Sequence, residues 1–171
     1  MEWISKNGLK SRLLKGYEEM IKILFICHGN ICRSPMGEFI LKDMVRKRGI
    51  EDEFEIASAA TSTEEIGNPV YPPARRELAK HGISCSGKTA RQVTWGDYVH
   101  YDLLLAMDNW NVRNLMRRVK NDPDGKVHLL MEYTDRPREV ADPWYTGDFK
   151  ETWDDVVEGC EGLLTFLGYG A

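Results

Sequence analysis

The stretch Ile21-Lys22-Ile23-Leu24-Phe25-Ile26-Cys27-His28-Gly29-Asn30-Ile31-Cys32-Arg33-Ser34-Pro35 constrains the fold of this chain more than any other. An apolar, β-branched run that stops at a cysteine reads as a buried strand. A short loop with Gly29 follows, and Ser34-Pro35 reads as the cap and first position of a helix. A strand feeding a tight loop and a helix N-terminus is an anion site, because loop N–H groups converge where the helix dipole is positive. Arg33 supplies a planar fork for two oxygens of a tetrahedral oxyanion. Cys27 stands at the mouth, where dipole and arginine both favour a thiolate, and a thiolate beneath a phosphate is a nucleophile aimed at phosphorus. A cysteine and an arginine at this spacing are, taken alone, more often buried core and surface. The agreement of strand, glycine, cap and proline selects the catalytic reading.

The rest of the chain alternates strand and helix. A helix is predicted from Pro35 to Arg48, with Met36, Phe39, Ile40, Met44 and Val45 at helical spacing. Phe54 to Ser58 alternates as a short strand. Pro72-Pro73 opens a helix that closes at His81-Gly82, and Trp95 to Tyr98 reads as a further helical turn. Tyr101 to Met107 is an apolar strand with Asp108 at its C-terminal end, followed by a helix expected to turn Trp110, Val112, Leu115, Met116 and Val119 inward. Val127 to Met131 is the fourth strand. The last helix carries Val156, Val157, Cys160, Leu163, Leu164 and Leu167 on its inner face. This order predicts a single-domain α/β fold: a doubly wound, flavodoxin-like sheet of four parallel strands with helices on both faces. Residues 20–171 read as the domain and 1–19 as an N-terminal extension, for which two readings stay open: one or two short amphipathic turns through Leu9, Arg12, Leu13, Leu14 and Tyr17, or added residues of little consequence. Sites in such sheets lie at the C-terminal strand ends, where Cys27 and Asp108 both fall.

Composition excludes several functions. A chain of 171 residues suits one core, and a formal net charge of -4 gives no general pull toward nucleic acid or anionic membrane. No apolar stretch approaches the roughly 20 residues of a membrane span, and the N-terminus lacks the apolar core of a signal peptide. Cys27, Cys32, Cys85 and Cys160 are too sparse for a disulfide framework or a zinc site, which points to the reducing cytoplasm. Gly82-Ile83-Ser84-Cys85-Ser86-Gly87-Lys88-Thr89 matches the nucleotide-binding pattern G-x-x-x-x-G-K-[ST]. That pattern requires a strand before it, and here a charged helix precedes it, so Gly82 is read as a helix C-cap.

Hydrolysis of a phosphate ester also needs a proton for the leaving oxygen. Asp142-Pro143-Trp144-Tyr145 offers a carboxyl on an aromatic-flanked loop, with Trp144 and Tyr145 suited to walling a cleft for an aromatic substrate. Together, Cys27 to Pro35 and Asp142 to Tyr145 resemble the signature and the general-acid loop of the low-molecular-weight protein tyrosine phosphatases. Ser58-Ala59-Ala60-Thr61-Ser62, Gly67-Asn68-Pro69, His81-Gly82-Ile83, Ala90-Arg91-Gln92 and Met107-Asp108 fit the same family, so the resemblance spans about residues 20–171.

The resemblance implies hydrolysis of phosphotyrosine and small aryl phosphates through a phosphocysteine on Cys27. Arg33 and the loop at His28, Gly29, Asn30, Ile31 and Cys32 would bind the phosphate, and Asp142 would act as acid and then base. It implies that Ser34 hydrogen-bonds the thiolate, that Asn30 fixes the loop with Ser58 as partner, and that Cys32 forms a reversible disulfide with the nucleophile. Ile31, Glu64, Trp144 and Tyr145 would line the substrate cleft. No cofactor and no metal are implied. The partners would be phosphotyrosine-containing proteins and a cognate tyrosine kinase.

The chain departs from the family pattern at Glu64, where an aromatic or aliphatic residue is common, at Lys88, near a common histidine, and in residues 1–19. Three other readings share these features. Protein-arginine phosphatases tend to carry threonine where Ile31 stands. Thioredoxin-coupled arsenate reductases need two further thiols, and only Cys85 lies in the relevant region. A non-catalytic phosphotyrosine-binding module would not need both Cys27 and Asp142.

Overall fold

The computed structural model describes residues 20–170, and both readings of residues 1–19 lie outside them. Strand β1 (Ile21–Cys27) leads through the cysteine loop into helix α1 (Arg33–Lys47). Strand β2 (Phe54–Ala60), helix α2 (Pro72–Lys80), helix α3 (Trp95–His100) and strand β3 (Leu103–Ala106) follow. The chain continues through α4 (Asn109–Met116), β4 (Val127–Leu129), a four-residue α5 (Pro143–Thr146) and α6 (Phe149–Phe166). The strands form one parallel sheet in the order β2-β1-β3-β4. After β1 the chain steps outward to β2 and then crosses back to β3. The direction of winding therefore reverses between β1 and β3, the place where open α/β sheets leave a crevice at their C-terminal edge.

Strand β1 is buried on both faces, so its residues divide between two cores. Ile23 and Phe25 pack with Met36, Ile40 and Leu41 of α1 and with Val156, Cys160, Leu163 and Leu164 of α6. Leu24 and Ile26 face the other way, toward Leu104, Tyr98 of α3 and Leu115 of α4. Full burial of each such side chain is worth about 1.5–3 kcal/mol, so two cores sharing one central strand hold β1 firmly where it meets the loop. Gly37 lets α1 come down onto the strand: a Cβ there would lie 2.6 Å from the Phe25 ring.

Several boundaries differ from those read from sequence. Strand β2 runs past Ser58 because Ala59 and Ala60 pair with Ile26 and Cys27, although alanines carry no alternation to announce it. Strand β4 ends at Leu129 rather than Met131, since Glu132 accepts the Leu129 N–H at 3.0 Å and turns Leu130–Tyr133 into a 3-10 helix. Helix α1 starts at Arg33, so Ser34 is inside the first turn and is not its cap. Trp110 faces solvent, 58% exposed, with the Arg113 guanidinium 5.5 Å from its ring. The inner face of α4 belongs to Asn111 and Leu115, one turn apart, which leaves Trp110 off that stripe. Helix α2 precedes Gly82, whose φ of 75° suits a helix stop, so the Gly82–Thr89 stretch lacks the strand a nucleotide loop requires.

Candidate active site

Cys27 is the last residue of β1, and its sulfur is held by the loop that follows. The Asn30 and Ser34 N–H groups approach Cys27 Sγ at 3.3 and 3.4 Å, and Ser34 Oγ lies 3.0 Å away. No side chain caps the first turn of α1, so its amides remain oriented toward the loop interior. Two amides and the N-terminus of a helix thus converge on one sulfur.

The loop keeps its shape because Asn30 adopts φ 58°, a left-handed conformation that asparagine tolerates better than most residues. Its buried side chain donates to Ser34 Oγ at 2.8 Å and to Ser58 Oγ at 2.9 Å. The hydroxyl that sequence reading assigned to capping is thus engaged by Cys27 and Asn30. The adjoining segment supports the loop from outside: Thr61 N–H donates to the Cys27 carbonyl and Ser62 N–H to the His28 carbonyl.

Arg33 is 2% exposed. Its Nη1 donates to Asp108 Oδ2 at 2.6 Å and to the Val140 carbonyl at 2.9 Å, and its Nη2 reaches Asp142 Oδ2 at 3.3 Å. Burial works against its charge, but Cys27, Asp108 and Asp142 outweigh burial and raise its pKa above the ordinary arginine value. Asp142 also accepts the Trp144 N–H on Oδ1 at 3.0 Å, as N-cap of α5. Burial pushes the Cys32 thiol up to about 12, with Cys27 and Asp142 adding to the effect and Arg33 opposing it.

These groups line a cleft of about 400 Å³ whose walls include Ile31, Glu64, Glu65, Trp144 and Tyr145. Trp144 packs on Tyr71, ring centroids 4.9 Å apart, and Tyr71 N–H donates to the Ile31 carbonyl. Also in the lining, His28 Nε2 pairs with Glu64 Oε2 at 3.0 Å. A larger concavity, about 770 Å³ beside His128 and Arg136, contains none of these groups. The sequence-selected residues Cys27, His28, Gly29, Ile31, Cys32, Arg33, Glu64, Asp142, Trp144 and Tyr145 all meet in the cleft, while Asn30, Ser34 and Ser58 form its buried backing.

Three contributors carried weaker signals. Asp108 was visible only as an acid at a strand end. Tyr71 had no signal, and Glu38, which accepts the Ser58 hydroxyl at 2.6 Å behind the loop, stands four residues before Lys42 in the pattern of an ordinary solvated pair.

Fold and site together define a class: an α/β protein with a cysteine-arginine loop at the switch point of its sheet. The family model described as low molecular weight phosphotyrosine protein phosphatase matches residues 22–169. The chain is 38% identical over 150 residues to low molecular weight protein-tyrosine-phosphatase YfkJ of Bacillus subtilis, covering 86% of this chain and 96% of that one. It is also 38% identical over 151 residues to the low molecular weight phosphotyrosine protein phosphatase of Gallus gallus, covering 85% and 95%. The crystal structure of YfkJ superposes with a TM-score of 0.83 over 88% of this chain and 96% of that chain. This chain belongs to the low-molecular-weight protein tyrosine phosphatase family and is a phosphoric-ester hydrolase.

Proposed function

We propose that this chain removes phosphate from phosphotyrosine in proteins, and from small aryl phosphates, by way of a phosphocysteine on Cys27. The observation that carries the reading is the sulfur itself, surrounded by the Asn30 and Ser34 amides and the Ser34 hydroxyl, with Arg33 and Asp142 joined by one hydrogen bond at the same cleft. Cys27 Sγ attacks phosphorus while the P–O bond to the aryl group breaks, and Asp142 gives that oxygen its proton. Arg33 and the amides from His28 to Cys32 hold the equatorial oxygens as charge spreads over them. Asp142 then takes a proton from water, whose oxygen attacks phosphorus as the P–S bond breaks, releasing phosphate and the thiolate. Ile31, Trp144 and Tyr145 suit a flat aromatic ring, and Glu64 borders the same entrance.

The reading extends to the domain, residues 20–171 as the catalytic unit and 1–19 as an extension, and to a cytoplasmic setting with a cognate tyrosine kinase as partner. No helix among the described residues is long and apolar enough to cross a membrane. The deciding experiment compares phosphotyrosine, phosphoserine and phosphoarginine peptides for wild type and Cys27→Ser. Phosphotyrosine should be preferred, with turnover abolished in the variant and oxyanion binding retained. Turnover near wild type in Cys27→Ser would sink the covalent route, and preference for phosphoarginine would transfer the chain to the arginine-phosphatase reading.

Cys32 supplies redox protection in this scheme. Peroxide oxidises the Cys27 thiolate to a sulfenic acid, and the Cys32 thiol then displaces water to close a disulfide. Reversible inactivation with the two cysteines joined is expected from mass mapping after mild peroxide. Irreversibly over-oxidised Cys27 beside free Cys32 would remove this role.

A further inference from the structure

Helix α4 carries a surface that the phosphate chemistry does not use. Its inner face belongs to Asn111 and Leu115, and its outer face presents Trp110, Arg113 and Arg117, three and then four residues apart, as one exposed stripe. Trp110 is 58% exposed, with the Arg113 guanidinium 5.5 Å from its ring. A tryptophan left this open forgoes apolar burial, and the cation over its face orders both groups at the surface.

The run from Asn109 to Asn121 holds Arg113, Arg117, Arg118 and Lys120 and no acid, in a chain whose formal net charge is -4. Arg118 Nε donates to the Val93 carbonyl at 3.4 Å, and Lys120 Nζ stands 4.1 Å from the Trp95 ring, so these two are engaged elsewhere. Among the described residues, the arginines in ion pairs are Arg33, Arg46, Arg91 and Arg138, which leaves the charges of Arg113 and Arg117 for a partner. Cations near a helix C-terminus stabilise its dipole, which accounts for the two arginines but not for an exposed tryptophan at the other end.

One carboxylate ties the stripe to the phosphate site. Asp108 Oδ1 caps α4 by accepting the Asn111 N–H at 2.7 Å, and Asp108 Oδ2 accepts Arg33 Nη1 at 2.6 Å. Trp110 thus follows by two residues the group that holds the cleft arginine. From Trp110 to Arg117 the helix covers about 10 Å, the span of about three residues of extended chain. Glu64 and Glu65 stand in the cleft lining, and Glu139 accepts Asn109 Nδ2 at 2.8 Å at the head of the helix. Acidic residues directly beside a bound phosphotyrosine therefore meet like charge, while those further along reach the arginines.

We infer that Trp110, Arg113 and Arg117 form a docking stripe for an acidic segment of the substrate protein, set several residues away from its phosphotyrosine. The inference rests on the phosphotyrosine reading of the cleft. The two guanidiniums meet carboxylates as planar forks, and Trp110 supplies the apolar anchor that interfaces use most. A protein segment fits better than nucleic acid, because the carboxylates of Glu64, Glu65 and Asp142 in the adjoining cleft would repel a run of phosphates.

The test compares phosphotyrosine peptides carrying either glutamates or glutamines at the positions beginning about five residues from the phosphotyrosine, with the segment on its N-terminal or its C-terminal side. Wild type, Trp110→Ala, Arg113→Gln, Arg117→Gln, the triple variant and the exposed control Arg76→Gln are assayed at low salt on these peptides and on para-nitrophenyl phosphate. On one of the two sides the wild type should show a KM about five- to tenfold lower for the glutamate peptide, with kcat unchanged, since docking binds substrate and transition state alike. Each stripe variant should lose part of that difference, the triple variant all of it and Arg76→Gln none. Turnover of para-nitrophenyl phosphate should match wild type throughout. Equal KM for glutamate and glutamine peptides in wild type, the same loss in Arg76→Gln, or a parallel loss on para-nitrophenyl phosphate would each overturn the docking stripe. So would single-stranded DNA binding that the triple variant loses while the peptide difference survives. Failure of the underlying reading shows separately, as wild-type enzyme that turns over neither the glutamate nor the glutamine phosphotyrosine peptides.

Discussion

Asp142 accepts two hydrogen bonds, from the Trp144 N–H and from Arg33, so the carboxyl proposed to protonate the leaving oxygen is held at the arginine proposed to bind the phosphate. The arginine is fixed in turn by Asp108 and the Val140 carbonyl, which leaves it little rotational freedom to lose when an oxyanion arrives. Replacing the acid tests the assignment through the leaving group. Asp142→Asn should reduce kcat/KM, which reports the steps up to release of the aryl group, by about 10²–10⁴-fold on phenyl phosphate, whose leaving oxygen is basic and needs a proton. The loss on para-nitrophenyl phosphate should be clearly smaller, because nitrophenolate leaves more readily without one. Equal losses on the two esters, measured at the same pH, would count against a proton-donor role. Cys27, Gly29, Arg33 and Asp142 could be selected from sequence because each is a chemically distinctive residue in a distinctive setting. Glu38 could not, since a glutamate four residues before a lysine on a helix has the pattern of an ordinary solvated pair.

At the scale of elements, the site depends on where strands and helices stop. Strand β1 ends at Cys27 and α1 begins uncapped at Arg33, and Gly37 lets α1 pack closely onto Phe25 of that strand. The far edge of the sheet offers an independent, pH-sensitive case. His128 of β4 pairs with Glu132 at 3.1 Å, joining the strand to the 3-10 turn that ends it. Burial opposes a charge on His128, but Glu132 outweighs it and raises the pKa above the ordinary 6.5. Burial likewise opposes ionisation of Glu132, but the His128 bond and the Leu129 N–H hold its pKa below the ordinary 4.5. A raised histidine contributes stability fully below pH 6.5, lost as pH rises through its folded value. A lowered glutamate contributes above pH 4.5, lost as pH falls through its folded value. The pair therefore helps most between those two pH values. His128→Gln should lower Tm most near pH 5.5 and least near pH 9, and a deficit independent of pH would show that the pair contributes packing only.

For the molecule as a whole, the parallel sheet gathers residues from Cys27 to Tyr145 into one cleft, and its lining includes both acidic and aromatic side chains. Tyr145 is 85% exposed, and the Glu64 side chain is 67% exposed where it pairs with His28. Carboxylates at an entrance should disfavour phosphotyrosine peptides with acidic flanks and favour basic ones, and exposure limits the effect to several-fold. Glu64→Gln/Glu65→Gln should narrow the basic-to-acidic ratio of kcat/KM at low salt and leave it unchanged at high salt. Equal ratios for wild type and variant at low salt would falsify this electrostatic role. The sequence by itself determined the α/β class and the strand-loop-helix order at Cys27, and it singled out Cys27 and Asp142 for the proposed chemistry, because periodicity and rare reactive residues are local signals. Only the tertiary structure decided that Asp108 and Val140 hold Arg33, that Tyr71 backs Trp144, and that Lys88 donates to the Ser58 carbonyl. Those contacts join residues far apart in the chain, such as Arg33 and Val140, 107 positions from each other. Local patterns do not encode such distances; the register of four strands and the crossing of the helices do.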